Sequence, residues 1–400
     1  MTSTQPNPYE SLETTLNAAA GAETEAQLSP GRLARAKQAY TTRYVDIERA
    51  TGLLEDAVPC IGDVVLARVE ELGQHLKIER TDGRRATMFP GDELIVAYGH
   101  RYAPDQFEAM VPDDLAPCDL AAAGGIASRV VNAHGKMLPA TTLVPLGLLI
   151  DADGARLNLK DGTLVGASVC PTGRRPVTFA VAGASMNAGK TTTAAHLVRG
   201  LAAAGLSVGA AKVTGTGAGG DVWLLTDAGA SPVYDFTTAG VPSTYMIGLT
   251  EVLRVFSELT DRLAADGCEA IVLEVADGVF QQETSELLQD DLFAERVDAV
   301  VFAASDALGA SAGIEWMDSR MLGPLALSGV LSSSPLATQE AEAATGREVW
   351  GLERLSEPLT ARALYEDLLA GRPVRGTVGV EDPDPATEVK LAEPGLSQAV

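Results

Sequence analysis

The sequence predicts a C-terminal α/β domain with a mostly parallel sheet, preceded by a small β-rich domain, a barrel or a sandwich. Three observations carry this reading. Beyond Pro176, near-continuous apolar runs alternate with helical patterns, as in a parallel sheet covered on both faces. Between residues 60 and 168, short runs rich in β-formers recur, separated by turn signals. The chain has 400 residues, 46% of them hydrophobic, enough for more than one core.

Residues 1–58 read as an acidic N-terminal arm and a helix. The first thirty are polar and Ala-rich. Ser29 can cap, Pro30 suits a first turn, and Leu33, Ala36 and Tyr40 recur at helical spacing, so one helix is expected, ending before Pro59. In the β-rich domain, strands are expected at Val64–Val69, His75–Glu79, Arg85–Met88 and Glu93–Tyr98, with Asp82-Gly83 as a hairpin turn. The loop Gly99–Asp114 carries Arg101, Tyr102 and Gln106 after a strand and is placed to reach a bound substrate or simply to join strands.

"CPTGRRP", Cys170 to Pro176, reads as a linker into an α/β domain over 176–370. Its expected strands are "VTFAVAG", "SVGAAKVTG", "EAIVLEVADG", "VDAVVFAAS", "LALSGVLSSS" and "EVWGL", with helices such as Thr192–Ala204 and Thr250–Asp266 between them. The tail 376–400 is acidic and Pro-bearing and reads as disordered.

The stretch "ASMNAGKT" carries the chemistry. Ala184, Met186, Asn187, Ala188, Gly189, Lys190, Thr191 and Thr192 fit a phosphate-binding loop, with alanine at its first position and Gly183 one residue early. An apolar strand precedes it and a helical pattern with Ala194, Leu197, Val198 and Leu201 follows. Backbone N–H groups of such a loop curl around a β-phosphate at the positive end of a helix. Lys190 would bridge β- and γ-phosphate oxygens, and the Thr191 hydroxyl would ligate Mg²⁺.

Other groups fall at the same sheet edge. "AAKVTGTGAGGD" delivers Lys212, Thr214 and Thr216 to the carboxyl end of a strand, where parallel sheets place ligands. "LEVADG" delivers Glu274 and Asp277, and a carboxylate there suits Mg²⁺.

These motifs resemble dethiobiotin synthetase, in the same order along the chain. Lys212 is followed by Val213 where that family has proline, and Glu274 by Val275-Ala276 where it has glycine. "VYDFTTAGVPSTY" is similar to a segment of an uncharacterised phosphate-loop family that includes a D-glutamate N-acetyltransferase. Molybdopterin-guanine dinucleotide biosynthesis adaptors share this kind of loop and a Thr-Gly-rich second strand. The resemblance implies a P-loop NTPase domain, a homodimer, ATP (GTP possible) and Mg²⁺. It gives Lys190 and Lys212 catalytic roles, the latter toward a substrate carboxylate or carbamate. Thr191, Glu274 and either Asp221 or Asp235 would complete the metal shell, with Thr214, Thr216 and Asp277 toward substrate.

Composition excludes some partners. A formal net charge of −24 argues against nucleic acid and anionic membranes, both of which need a basic face. Four scattered cysteines without a CxxC pair suggest neither zinc nor disulfides, and His75, His100, His134 and His196 are too dispersed for a metal site. With neither a signal-peptide pattern nor a run of roughly 18 apolar residues, a cytoplasmic protein is expected.

The function expected is ATP- and Mg²⁺-dependent activation of a small carboxylate-bearing metabolite by phosphoryl transfer, as a ligase or kinase. The alternatives are a nucleotide-switched adaptor and an acyltransferase using a coenzyme A thioester.

Overall fold

The computed structural model describes residues 28–163 and 175–371. The expected acidic arm and disordered tail, and most of the linker, lie outside these residues.

The N-terminal half is a barrel. Its strands are β1 (Lys37–Gln38), β2 (Gly52–Leu54), β3 (Val64–Glu71), β4 (Lys77–Glu79), β5 (Arg85–Thr87), β6 (Glu93–Tyr98), β7 (Phe107–Met110), β8 (Cys118–Ala122), β9 (Ile126–Ala133) and β10 (Thr141–Ile150). The pairing β6-β3-β10-β8-β9 closes on itself because β9 also pairs with β6, in parallel at Ala97–Ile126 and Tyr98–Ala127. Closure removes the edges a sandwich would leave.

Alternation along the strands builds two cores. Val65, Ala67 and Val69 of β3 join Leu94, Val96 and Tyr98 of β6 in one cluster. Val64 and Leu66 join Ile95, Ala97 and Leu149 in another, packed with Leu33 and Ala36. The hairpin β4–β5 turns at Asp82-Gly83, where Gly83 takes φ +82°.

The expected long helix before Pro59 is overturned. Only Pro30–Arg35 is helical (α1), capped by the Ser29 hydroxyl, which accepts from Arg32 N–H at 3.2 Å. Ala36 then turns extended, β1 pairs with β6, and two short 3₁₀ turns follow. The reason is tertiary. Ala39, Tyr40, Thr41 and Thr42 are fully buried, and the side chains of Tyr40 and Arg43 reach the C-terminal domain.

That domain holds β11 (Val177–Gly183), β12 (Val208–Lys212), β13 (Val233–Asp235), β14 (Ala270–Glu274), β15 (Ala299–Ala303) and β16 (Ala326–Ser328). They form one parallel sheet in the order β13-β12-β14-β11-β15-β16. Helix α2 (Lys190–Ala203) packs on one face with Val177, Phe179 and Val181. Helix α4 (Leu249–Ala265) packs on the other with Ala180, Ala182 and Leu273, so every residue of β11 and β14 is buried. A shorter α3 (Gly220–Asp227) follows β12. Two strand readings differ. "EVWGL" makes only a single bridge, Leu327–Val349, and Val233–Asp235 forms the edge strand that sequence reading left out.

Several polar contacts join the halves. Tyr40 donates to Asp235 at 2.6 Å and Arg43 pairs with the same carboxylate at 3.1 Å. Glu79 accepts from the Gly219 N–H (3.1 Å) and the Trp223 indole (2.9 Å). At Gly124 the two backbones touch so closely that a Cβ would lie 1.9 Å from the Gly217 carbonyl.

Candidate functional site

The site forms where β11, β12 and β14 end together. Parallel pairing sets Lys212, the last residue of β12, beside Glu274, the last of β14, while β11 runs from Val181, opposite Glu274, two residues further to Gly183. The loop Ala184–Gly189 leaves β11 and enters α2 at Lys190. It turns through two left-handed residues, Asn187 (φ 64°) and Gly189 (φ 94°). Gly189 also passes the Gly329 backbone at a distance where a Cβ would sit 3.0 Å from Cα.

Lys190 is 5% exposed, and its ammonium donates to the Ser185 carbonyl at 2.8 Å, folding back over its own loop. Burial pulls its pKa down, opposed by Glu274 and Asp277. Thr191 donates to Glu274 Oε1 at 2.8 Å. Glu274 is 2% exposed, and its other oxygen, Oε2, is buried without a hydrogen-bond partner among the described residues. Burial, and then the neighbouring Asp221, push its pKa up to about 7. Lys212 forms an ion pair with Asp221 of the first turn of α3. Burial alone would lower Lys212, but Asp221 and Glu274 carry it above its ordinary value. Asp277 is held in the left-handed region (φ 65°), and burial raises it to about 6.

These groups line a cavity of about 490 Å³. Met186, Asn187, Gly189, Lys190, Thr191, Thr192, Lys212, Thr216, Asp221, Glu274 and Asp277 all face it, together with Val330. The barrel forms the opposite wall with Arg101, Ala103, Asp105 and Gln106. Asp105 fixes that wall to the loop Ala184–Gly189 by accepting from the Asn187 amide at 3.0 Å. A second cavity, about 520 Å³, adjoins it through Gly189, Thr192 and Val330 and continues along Gly329, Ser332 and Leu352.

Four expected site residues do not line this cavity. Ala184 bonds through its N–H to the Ala303 carbonyl, and Ala188 is fully buried. Thr214 is buried and donates to the Ala276 carbonyl at 3.2 Å. Asp235, an alternative metal ligand, is instead the buried anchor of Tyr40, Arg43 and Thr237. Arg43 and those hydrogen bonds outweigh the burial penalty and hold its carboxyl below the usual range. Sequence reading missed Ala103, Asp105, Val330 and, apart from Gly189 and Thr192, the lining of the second cavity. The polar loop after β6 was the available signal for the barrel wall.

Among the described residues, no group of three or more His, Cys, Asp or Glu side chains is arranged to hold a metal by itself. The donors at Thr191, Glu274 and Asp221 nevertheless fit Mg²⁺, which takes one or two carboxylates plus phosphate and water oxygens. The unpartnered Glu274 Oε2 is the atom such an ion would satisfy. No helix among the described residues is long and apolar enough to cross a membrane, and Cys60, Cys118 and Cys268 are free thiols.

No family model matches the chain, and no curated protein matches it. Among solved structures, it is similar to the signal recognition particle 54 kDa protein of Aeropyrum pernix K1 in complex with GDP, at 19% identity and TM-score 0.34 over 50% of each chain. The signal recognition particle receptor FtsY of Elizabethkingia anophelis aligns at 14% identity and TM-score 0.28, over 50% of this chain and 58% of that one. A ParA family ATPase of Chlorobium tepidum TLS aligns at 12% identity and TM-score 0.28, over 49% of this chain and 98% of that one. The chain thus spans about half the length of the first two.

Proposed function

We propose that the chain is a Mg²⁺-dependent enzyme that transfers the γ-phosphoryl group of ATP to a small anionic metabolite, as a ligase or kinase. One observation carries the reading. Lys190, Thr191, Lys212, Asp221 and Glu274 converge on a cavity whose far wall belongs to a second domain. A phosphate loop facing a walled cavity suits a bound acceptor.

The residues divide the work by position. Loop N–H groups and the start of α2 cradle the phosphates. Lys190 exchanges the Ser185 carbonyl for phosphate oxygens, regaining a charge-assisted partner. Thr191, Glu274 and Asp221 would hold Mg²⁺, which supplies charge neutralisation on the β- and γ-phosphates. Lys212, at the end of β12, orients the acceptor oxygen. That oxygen bonds to the γ-phosphorus as the bond to the β,γ-bridging oxygen breaks and ADP departs. With a carboxylate acceptor the product is an acyl phosphate. Asp277 is placed to hold the acceptor's polar groups. The adjoining cavity along Gly329 and Leu352 offers room for the base. Catalysis rests on positioning and electrostatics, with no covalent bond to the protein.

Calorimetric titration with Mg-ATP and Mg-GTP, on wild type and Lys190→Ala, tests this. The expected result is ATP binding that Lys190→Ala loses, with almost no basal turnover. GTP preference with slow intrinsic hydrolysis would replace it with a nucleotide-switched adaptor.

A further inference from the structure

Arg101 has no place in the scheme above. It sits where the chain after β6 bridges to Ala109, through backbone bonds of 2.8 and 3.0 Å. Its side chain is turned inward and only 7% of the residue is exposed. Three neighbours orient the guanidinium. Nη2 donates to Gln106 Oε1 at 2.8 Å, Nη1 lies 3.3 Å from His75 Nε2, and the Phe107 ring lies 6.0 Å from the guanidinium carbon. None of these is an anion. Nε is buried with no hydrogen-bond partner among the described residues. Burial pulls the Arg101 pKa down to about 10, with the nearby Asp105 carboxylate, whose Oδ2 is taken by Asn187, offsetting only part of that cost.

A buried cation with an unused donor is costly unless an anion completes it. Arg101 lines the cavity, and the phosphate loop faces it from the other domain. The triphosphate already has the loop amides, Lys190 and the start of α2. The anion at Arg101 therefore belongs to the other reactant. A guanidinium with oriented donors suits a carboxylate. The reacting oxygen must lie near Lys190 and Lys212, so the acceptor carries anionic groups at both ends. Asp105 adds a selective feature. Its Oδ2 accepts from Asn187, while Oδ1 is buried with no partner among the described residues, ready for a hydroxyl or amino donor.

We infer that the barrel domain supplies an anion subsite centred on Arg101, and that its ligand is one carboxylate of a small dicarboxylic acceptor. This rests on the phosphoryl-transfer reading for the second reactant, but the subsite itself is defined by the barrel's own residues.

The test is calorimetric titration with succinate, glutarate, adipate and malate, with and without the non-hydrolysable analogue Mg-AMPPNP. It uses the full chain as wild type, Arg101→Gln and Gln106→Glu, with thermal midpoints as a folding check. The second variant places a carboxylate against the guanidinium and keeps the test open if Arg101→Gln fails to fold. We expect at least one acid to bind wild type with Kd below about 1 mM and both variants about tenfold more weakly or worse, a difference of roughly 1.4 kcal/mol. AMPPNP affinity should stay within about twofold across the three proteins. Absence of binding by all four acids, or equal binding to wild type and variants, overturns the subsite. A tenfold loss of AMPPNP affinity in Arg101→Gln also overturns it, by putting Arg101 on the nucleotide. If wild type ignores AMPPNP, the phosphoryl-transfer reading fails, while the titrations without nucleotide still decide the subsite.

Discussion

Glu274 is the residue whose environment asks most plainly for a ligand. One oxygen takes the Thr191 hydroxyl, and the other has no partner among the described residues. On the proposed reading Thr191→Ala removes a metal donor, and it leaves Glu274 with neither oxygen bonded among the described residues. The expected outcome is loss of the Mg²⁺-dependent part of nucleotide affinity, about tenfold or more, with affinity in EDTA little changed. Calorimetry with and without Mg²⁺ checks this, and equal losses in both conditions would remove Thr191 from the metal shell. Asp235 is a different kind of buried acid. Asp235→Ala strands the Arg43 guanidinium, and breaking one side of such a pair costs about 3–5 kcal/mol. Urea denaturation measures it, and a loss under 1 kcal/mol, the usual worth of an exposed pair, would contradict the account. The two acids show what was legible at this scale. That the loop residues, Lys212 and Glu274 meet at one sheet edge is readable because each stands at a strand end of a parallel sheet, although Thr191 and Glu274 are 83 positions apart. Asp235 is buried either way, and the arginine that explains it is 192 positions distant in sequence. No local pattern could choose between that arginine and a metal.

Elements were legible where the period alone decides. Helices expected at Thr192–Ala204 and Thr250–Asp266 run Lys190–Ala203 and Leu249–Ala265, and β6 begins and ends as expected. The failure at Ser29–Pro59 has a physical cause. Helical spacing was present, but Tyr40, Thr41 and Thr42 are buried against other elements, and packing overrides weak propensity. The loop between β11 and α2 depends on one backbone state. Gly189→Ala would place a side chain at φ 94° and press it on Gly329. A left-handed non-glycine residue costs about 1–3 kcal/mol. We expect that loss in urea denaturation, with nucleotide affinity reduced about tenfold or more. Unchanged affinity would mean that the loop tolerates another course.

At the scale of the molecule, the barrel and the α/β domain share buried contacts at Asp235, Glu79 and Gly124, so they should melt as one unit. Scanning calorimetry of wild type is expected to show one transition, and Asp235→Ala two. The barrel also carries an acid-sensitive group. Burial, and then Arg101, pull His75 down to about 4 from an ordinary 6.5. The unfolded chain therefore takes up the proton first. The contribution of His75 is intact above pH 6.5 and drains away as pH falls toward 4. His75→Gln should flatten the drop in urea midpoint between pH 7 and pH 5, and an unchanged drop would assign it to other groups.

The hydrogen bond from Asn187 to Asp105 has a consequence for inheritance. The left-handed Asn187 of the loop between β11 and α2 is fastened to a residue of the other domain. A neutral change at one position is then a defect until the other answers it. Among descendants of this chain, positions 105 and 187 should change together, and, on the proposed function, an α/β domain grafted in from another lineage should bind nucleotide poorly until its 187 equivalent suits Asp105.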